Sequence, residues 1–201
     1  MLVLGTANRK KGLELAQLLR PVGVELKTLA DFSVDFEVTE DGDTFAANAR
    51  LKAAGYARHL GRWVLADDSG LEVDALDGRP GVFSARYSGP DADDESNNRL
   101  VLEQLGDLAL ERRTARFVCH IAVADPQGVV VAESEAACRG RMLFAPRGSG
   151  GFGYDPLFEI VEYHRAFGEL GVGVKAHLSH RSRAACRLIP QLVRLADAGK
   201  I

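Results

Sequence analysis

Cysteine is scarce in this chain, and nothing pairs it. The 201 residues include three: Cys119, Cys138 and Cys186, widely spaced and without a C-x-x-C couple. An odd, scattered set argues against a disulfide framework and against a thiolate metal knuckle, so reduced thiols in or near the core and a cytoplasmic location are expected. Long apolar runs are missing too. No stretch approaches the roughly 20 residues of a membrane-spanning helix. The apolar opening from Met1 to Thr6 is too short for a secretory signal and has no basic lead. Positive charge is not in excess: 25 Lys and Arg stand against 28 Asp and Glu, a formal net charge of -3. Such a chain has no overall pull toward nucleic acid or an anionic membrane. It also lacks a basic stripe interleaved with aromatics, so neither partner is expected. His59, His120, His164 and His177 show no zinc-like spacing. An anionic small ligand must therefore be held by a local cationic pocket.

What is present suits one large domain or two intimately packed lobes: hydrophobic residues make up 46% and charged residues 26%, ordinary values for a globular protein. Leu2 to Gly5 reads as a short buried strand leading into a helix with Leu13, Leu15, Leu18 and Leu19 near helical spacing. Pro21 and Gly23 close that helix, and Val24 to Leu26 begins a second strand. A helix is expected from Thr44 to His59, capped by Asp43 or Thr44. Trp63 to Ala66 reads as a strand ending abruptly at Asp67-Asp68-Ser69-Gly70. A polar helix follows over Asp93 to Leu105. The runs Ala115–Ala124 and Val129–Ala137 flank a turn-like Asp125-Pro126-Gln127-Gly128 and suggest an antiparallel hairpin. A basic helix closes the chain from Ser179 to Ala198, kinked or broken at Pro190. The order predicts an α/β fold with a mixed sheet and no internal repeat.

Five polar clusters interrupt this pattern, and each has a plain reading beside a chemical one. Thr6-Ala7-Asn8-Arg9-Lys10-Lys11 lies where a strand hands over to a helix. Unpaired N–H groups there suit phosphate, or Asn8 merely caps a helix with solvated lysines. It is not a G-x-x-x-x-G-K-[ST] loop. Glu40-Asp41-Gly42-Asp43 can simply favour a helix N-terminus, yet Thr44, Asn48 and Lys52 share one face of the following helix and would suit a phosphate. Asp67-Asp68 can be an Asx-turn. As two adjacent carboxylates at a strand end they also suit magnesium and a water to be deprotonated. Gly148 to Pro156 is either a flexible hairpin loop or a close-approach loop in which Phe152 stacks on a base and Asp155 accepts from a ring N–H. Ser179-His180-Arg181 caps the last helix or donates to a keto oxygen.

In order and spacing these pieces, with the segments Asp67 to Asp74, Pro80-Gly81 and Ser84 to Gly89, resemble the inosine/xanthosine triphosphate pyrophosphatase family nearly end to end. The resemblance implies a homodimer of two α/β lobes around a long central mixed sheet, with a nucleotide cleft between the lobes. It implies cleavage of non-standard purine nucleoside triphosphates (ITP, dITP, XTP) to a monophosphate and pyrophosphate, with Mg2+. By it, Thr6, Asn8, Lys11 and Lys52 hold the triphosphate, Glu40 and Asp68 engage the metal, and Asp68 is the general base. Ser69 contacts substrate, while Phe152, Gly153, Tyr154, Asp155, Lys175, His180 and Arg181 line the base pocket. The chain departs from the family at Ala47, where an acid is usual, and at Gly171 to Val174, where a more polar approach is usual. A pyrophosphatase for modified pyrimidine nucleotides and a non-catalytic nucleotide sensor are the alternatives.

Overall fold

The computed structural model describes residues 1–201 except Ser33 and Asp35. Among the described residues, seven strands form one mixed sheet in the order β2-β1-β3-β4-β5-β6-β7, with helices packed against it. The strands are β1 (Leu2–Leu4), β2 (Leu26–Thr28), β3 (Val64–Val73), β4 (Thr114–Ala124), β5 (Val130–Met142), β6 (Phe158–Ile160) and β7 (Arg165–Ala166). The helices are α1 (Arg9–Leu18), α2 (Phe45–Leu60), α3 (Asp94–Leu105), α4 (Val172–Leu178) and α5 (His180–Asp197). β1 runs parallel to β2 and β3, whereas β5, β6 and β7 pair antiparallel. Among the described residues no helix is long and apolar enough to cross a membrane.

The chain divides into two compact units: Met1–Asp68 with Cys119–Ala136 and Arg181–Ile201, and Ser69–Val118 with Ala137–His180. In the first, strand alternation sorts the core into two layers. Leu2, Leu4, Leu65, Ile121 and Val123 pack with Leu15, Leu19, Leu188 and Leu192 of the α1 and α5 segments. Val3, Val64, Ala66, Ala122 and Ala124 turn the other way, onto Ala49, Ala53, Tyr56 and Ala57 of α2. The second unit has its own core, where Leu71, Val73, Phe117, Met142, Phe158 and Phe167 pack with Val101 and Leu105 of α3.

Several expectations change. β3 does not stop at Ala66 but continues through Asp67, Asp68, Ser69 and Gly70 to Val73, because both acids find buried cationic partners that outweigh their poor strand propensity. α5 is unbroken through Pro190. Leu13 does not join the core of α1; it is 63% exposed, while Leu15 is buried. The second strand begins at Leu26, and β6, β7 and α4 have no counterpart in the sequence reading. All three cysteines are free; Cys119 and Cys138 are buried, but Cys186 is exposed.

Candidate active site

Strand parity explains why two adjacent acids can be buried side by side in sequence. Asp67 follows the facing of Leu65, toward α1 and α5; Asp68 follows Ala66, toward α2. Each carboxylate then pairs directly with a different set of cations. Asp67 is 1% exposed. Its Oδ2 lies 3.3 Å from Arg181 Nε and 3.8 Å from Lys11 Nζ. Burial alone would raise this carboxyl, but Lys11, Arg181 and Lys52 overcome it and hold it well below the usual carboxylate range. Arg181, 2% exposed, also donates through Nη1 to Glu14 Oε2 at 2.5 Å.

On the α2 side, Lys52 Nζ lies 2.9 Å from Asp68 Oδ1 and 2.8 Å from Glu40 Oε2. The Lys52 amine is buried, which works against its charge, yet Asp68, Asp67 and Glu40 raise its pKa overall. Burial raises the Asp68 carboxyl despite the Lys52 charge, which brings it closer to the proton affinity a general base needs. The polar stripe on α2 assembles this site. Thr44 Oγ1 caps the helix by accepting from the Ala47 N–H, and Asn48 Oδ1 accepts from the Gly42 N–H at 2.8 Å. Gly42 is required in that loop, since a Cβ there would lie 2.7 Å from the Ala47 Cβ and 2.8 Å from Asn48 Oδ1. The loop, so fixed, presents Glu40 to Lys52.

At the start of α1, Asn8 Oδ1 accepts from the Lys10 and Lys11 N–H groups at 3.0 and 3.1 Å, and Thr6 Oγ1 accepts from the Asn8 N–H at 3.2 Å. The capping reading of Asn8 therefore holds. A hollow of about 740 Å³ opens here, walled by Thr6, Asn8, Leu13, Phe36 and Tyr56 among others.

In the second unit, Asp155 Oδ2 accepts from Lys175 Nζ at 2.6 Å and from the Phe152 N–H at 2.8 Å. The Lys175 ammonium sits 4.6 Å from the centroid of the Phe152 ring, a cation–π contact. Gly151 makes room for this, because a Cβ on it would lie 2.0 Å from Asp155 Oδ2. Tyr154 is a core residue whose hydroxyl donates to the Ser84 carbonyl at 2.8 Å. His180 stacks on Phe117, with centroids 4.8 Å apart. Ser69 is half-buried within β3.

Of the sequence-predicted residues, Thr6, Asn8, Lys11, Glu40, Lys52, Asp68 and Arg181 thus gather in the first unit. Ser69, Phe152, Gly153, Tyr154, Asp155, Lys175 and His180 belong to the second. Sequence reasoning missed Glu14, the second carboxylate on Arg181, and the pair Asp94 and Asn98. Gly153 donates its N–H to Asp94 Oδ2 at 2.8 Å, and Asn98 Nδ2 donates to the Gly153 carbonyl at 2.9 Å. No local signal marks Glu14, whose partner is 167 residues away. Asp94 and Asn98 are four apart on α3, a spacing that places them on one face.

Buried acids matched to lysines and an arginine form a charged cluster on an α/β sheet, and comparison with known proteins supplies the family. The Ham1 family model matches residues 2–191, and the chain belongs to that family. It is 52% identical over 197 residues to a dITP/XTP pyrophosphatase of Rhodopirellula baltica, covering 98% of this chain and 95% of that protein. A dITP/XTP pyrophosphatase of Desulforamulus reducens is 47% identical, with 96% of each covered. The solved HAM1 protein of Coxiella burnetii superposes with a TM-score of 0.85 at 36% identity over 98% of both chains.

Proposed function

We propose that this chain hydrolyses dITP, XTP and ITP to the nucleoside monophosphate and pyrophosphate, removing non-standard purines from the nucleotide pool. The observation that carries the reading is the convergence of Glu40 and Asp68 on one buried ammonium. It is supported by relatives of that name aligned over nearly the whole chain.

Two carboxylate oxygens that close around one cation, here the ammonium of Lys52, form the hard oxygen donor set a magnesium ion takes. Glu40 and Asp68 would hold it. Once bound, it supplies charge neutralisation to the phosphates. Lys52 and Lys11, with the side chains of Thr6 and Asn8 beside them, take the triphosphate oxygens. Asp68 orients a water in line with the α-phosphorus and accepts its proton. The water oxygen bonds to that phosphorus, the bond to the bridging oxygen breaks, and pyrophosphate leaves. Positioning and charge supply most of such catalysis.

Base recognition falls to the second unit. Phe152 offers its ring face, Asp155 accepts from N1–H, and Lys175 and His180 donate toward the 6-keto oxygen. Gly153 and the Tyr154 backbone shape the loop, and Ser69 contacts the substrate. Arg181 acts as the internal counter-ion of Asp67. Adenine reverses the donor and acceptor pattern, which leaves buried groups unpaired and discriminates by up to roughly 10⁴–10⁵. We place the working enzyme in the cytoplasm as a homodimer, on the family resemblance and the free thiols.

The test is incubation with dITP, XTP, ITP, GTP, ATP and dUTP, with and without Mg2+, identifying both products. Pyrophosphate plus monophosphate from the first three, only with metal, is expected. Turnover confined to dUTP would move the substrate to pyrimidines. Binding without metal-dependent turnover would make the protein a sensor.

A further inference from the structure

The loop proposed to carry the base is held by a helix that no part of the mechanism uses. The Gly153 N–H is accepted by Asp94 Oδ2, and its carbonyl accepts from Asn98 Nδ2. Both peptide groups of this residue, which has a left-handed φ of 62°, are therefore fixed from one face of α3. The neighbouring Phe152 N–H is taken by Asp155. Three backbone groups of Phe152 and Gly153 thus have side-chain partners, and the Phe152 carbonyl accepts from the Asp155 N–H, so the backbone that carries the ring is held.

The helix is itself anchored. Asp93 and Ser96 form a capping box, Asn97 Oδ1 accepts from the Ser88 N–H at 2.8 Å, and Val101 and Leu105 are core residues. Asp94, Asn98, Phe152 and Gly153 all wall a hollow of about 500 Å³, a volume in the range of ligand pockets. We infer that Asp94 and Asn98 are positioning residues for base selection: they clamp the Gly153 peptide so that Phe152 and Asp155 are preset for a 6-keto purine. This rests on the functional reading above and adds a specificity determinant to it. A preset loop avoids the ordering cost of binding and sharpens discrimination.

The test uses Asn98→Ala, Asn98→Asp, Asp94→Ala and Asp94→Asn in the full chain, with dITP and dATP as substrates and inorganic tripolyphosphate, which has no base, as competitive inhibitor. Losing one such hydrogen bond should raise KM for dITP roughly ten-fold and narrow the dITP-over-dATP preference by a similar factor. The kcat for dITP and the tripolyphosphate Ki should stay within about two-fold. Asn98→Asp keeps the shape but turns the donor into a carboxylate facing the Asp94 and Gly153 carbonyls, so it should lose at least as much as Asn98→Ala; Asp94→Asn keeps an acceptor and should sit near wild type. Hydrogen exchange at the Gly153 amide, read without any substrate, should quicken in Asp94→Ala. Wild-type KM and preference in Asn98→Asp, equal losses for dITP and tripolyphosphate, or an unchanged Gly153 amide would each overturn the clamp. A wild-type chain that does not cleave dITP at all would instead overturn the functional reading, and the exchange measurement would still decide whether the clamp exists.

Discussion

In the unit that carries Lys52, working groups are held by charge: Asp67 and Asp68 are buried, with Lys11 and Arg181 against the first carboxylate, beside the Cys119 thiol, and Lys52 against the second. In the unit that carries Phe152, one ion pair, Lys175 with Asp155, is joined by backbone clamps: Asp155, Asp94 and Asn98 fix peptide groups of the loop that carries the ring. Under the proposed function, the difference matches the two ends of a nucleotide. A triphosphate needs charge that is already desolvated and oriented, whereas a base needs a surface of fixed shape. Ionic sites fail steeply when one partner is removed, because the other is left buried and unpaired. Peptide clamps fail gradually, one hydrogen bond at a time.

Asp68→Asn should cut the contrast deepest. Pyrophosphate release from dITP should fall by roughly 10³-fold or more, since the base and an expected metal ligand are lost together, while dITP binding stays measurable by calorimetry. Turnover near wild type would remove Asp68 from the chemistry.

Arg181→Ala comes next, and it acts on stability. Removing the guanidinium leaves Asp67 buried with Lys11 at 3.8 Å, and breaking such a pair costs about 3–5 kcal/mol. For a chain of this length that corresponds to a fall in Tm of roughly 6–20 °C. A pH scan tests the same network. The folded Asp67 carboxyl titrates below the ordinary range because of Lys11 and Arg181, acting against burial. An unfolded aspartate titrates near about 3.9. The unfolded chain thus binds the proton first, so this stabilisation is complete above the unfolded value and is lost as pH falls through it toward the folded one. In Asp67→Asn the melting temperature should respond less to acid over that window.

On the other side, Phe152→Ala should raise KM for dITP about ten-fold through lost stacking, which is worth about 1–3 kcal/mol per base, and should leave the tripolyphosphate Ki unchanged. Equal effects on both ligands would erase the division of labour between the two units.

How much of this was legible in the sequence depends on whether the cause was local. α2 and α3 could be read because Thr44 and Asp93 cap them and Gly61 and Gly106 follow them. The strands β4 and β5 could be read from long β-branched runs. β3 was cut short because Asp67 and Asp68 look like a turn until Lys11, Arg181 and Lys52 are in place, and those partners come from three other elements. β6 has three residues, β7 has two, and α4 carries Gly173 within its seven, too little for a periodicity to register. The residue types of the candidate site were visible as clusters, but their connections were not. Arg181 read as a donor toward the base, yet its Nε and Nη1 go to Asp67 and Glu14. Asn98 carries no local mark that sets it apart on a polar helix.

The smallest effect is the one that ties charge to metal most directly. Lys52 occupies the place between Glu40 and Asp68 that a divalent cation would take. If the proposed metal site is right, the ammonium and the metal compete for the same two oxygens in the free protein, and bound triphosphate, by drawing Lys52 toward its own oxygens, would release the carboxylates. Lys52→Met keeps an unbranched stem of similar length and removes the charge. The free protein should then bind Mn2+ about three- to ten-fold more tightly than wild type, read by the loss of the free-ion electron paramagnetic resonance signal, even as nucleotide binding weakens. Lys52→Arg, which retains the charge, should show no such gain. If the two variants bind Mn2+ alike, the carboxylates and the ammonium do not form one exchangeable cation site, and the ionic account of this unit fails where it is most specific.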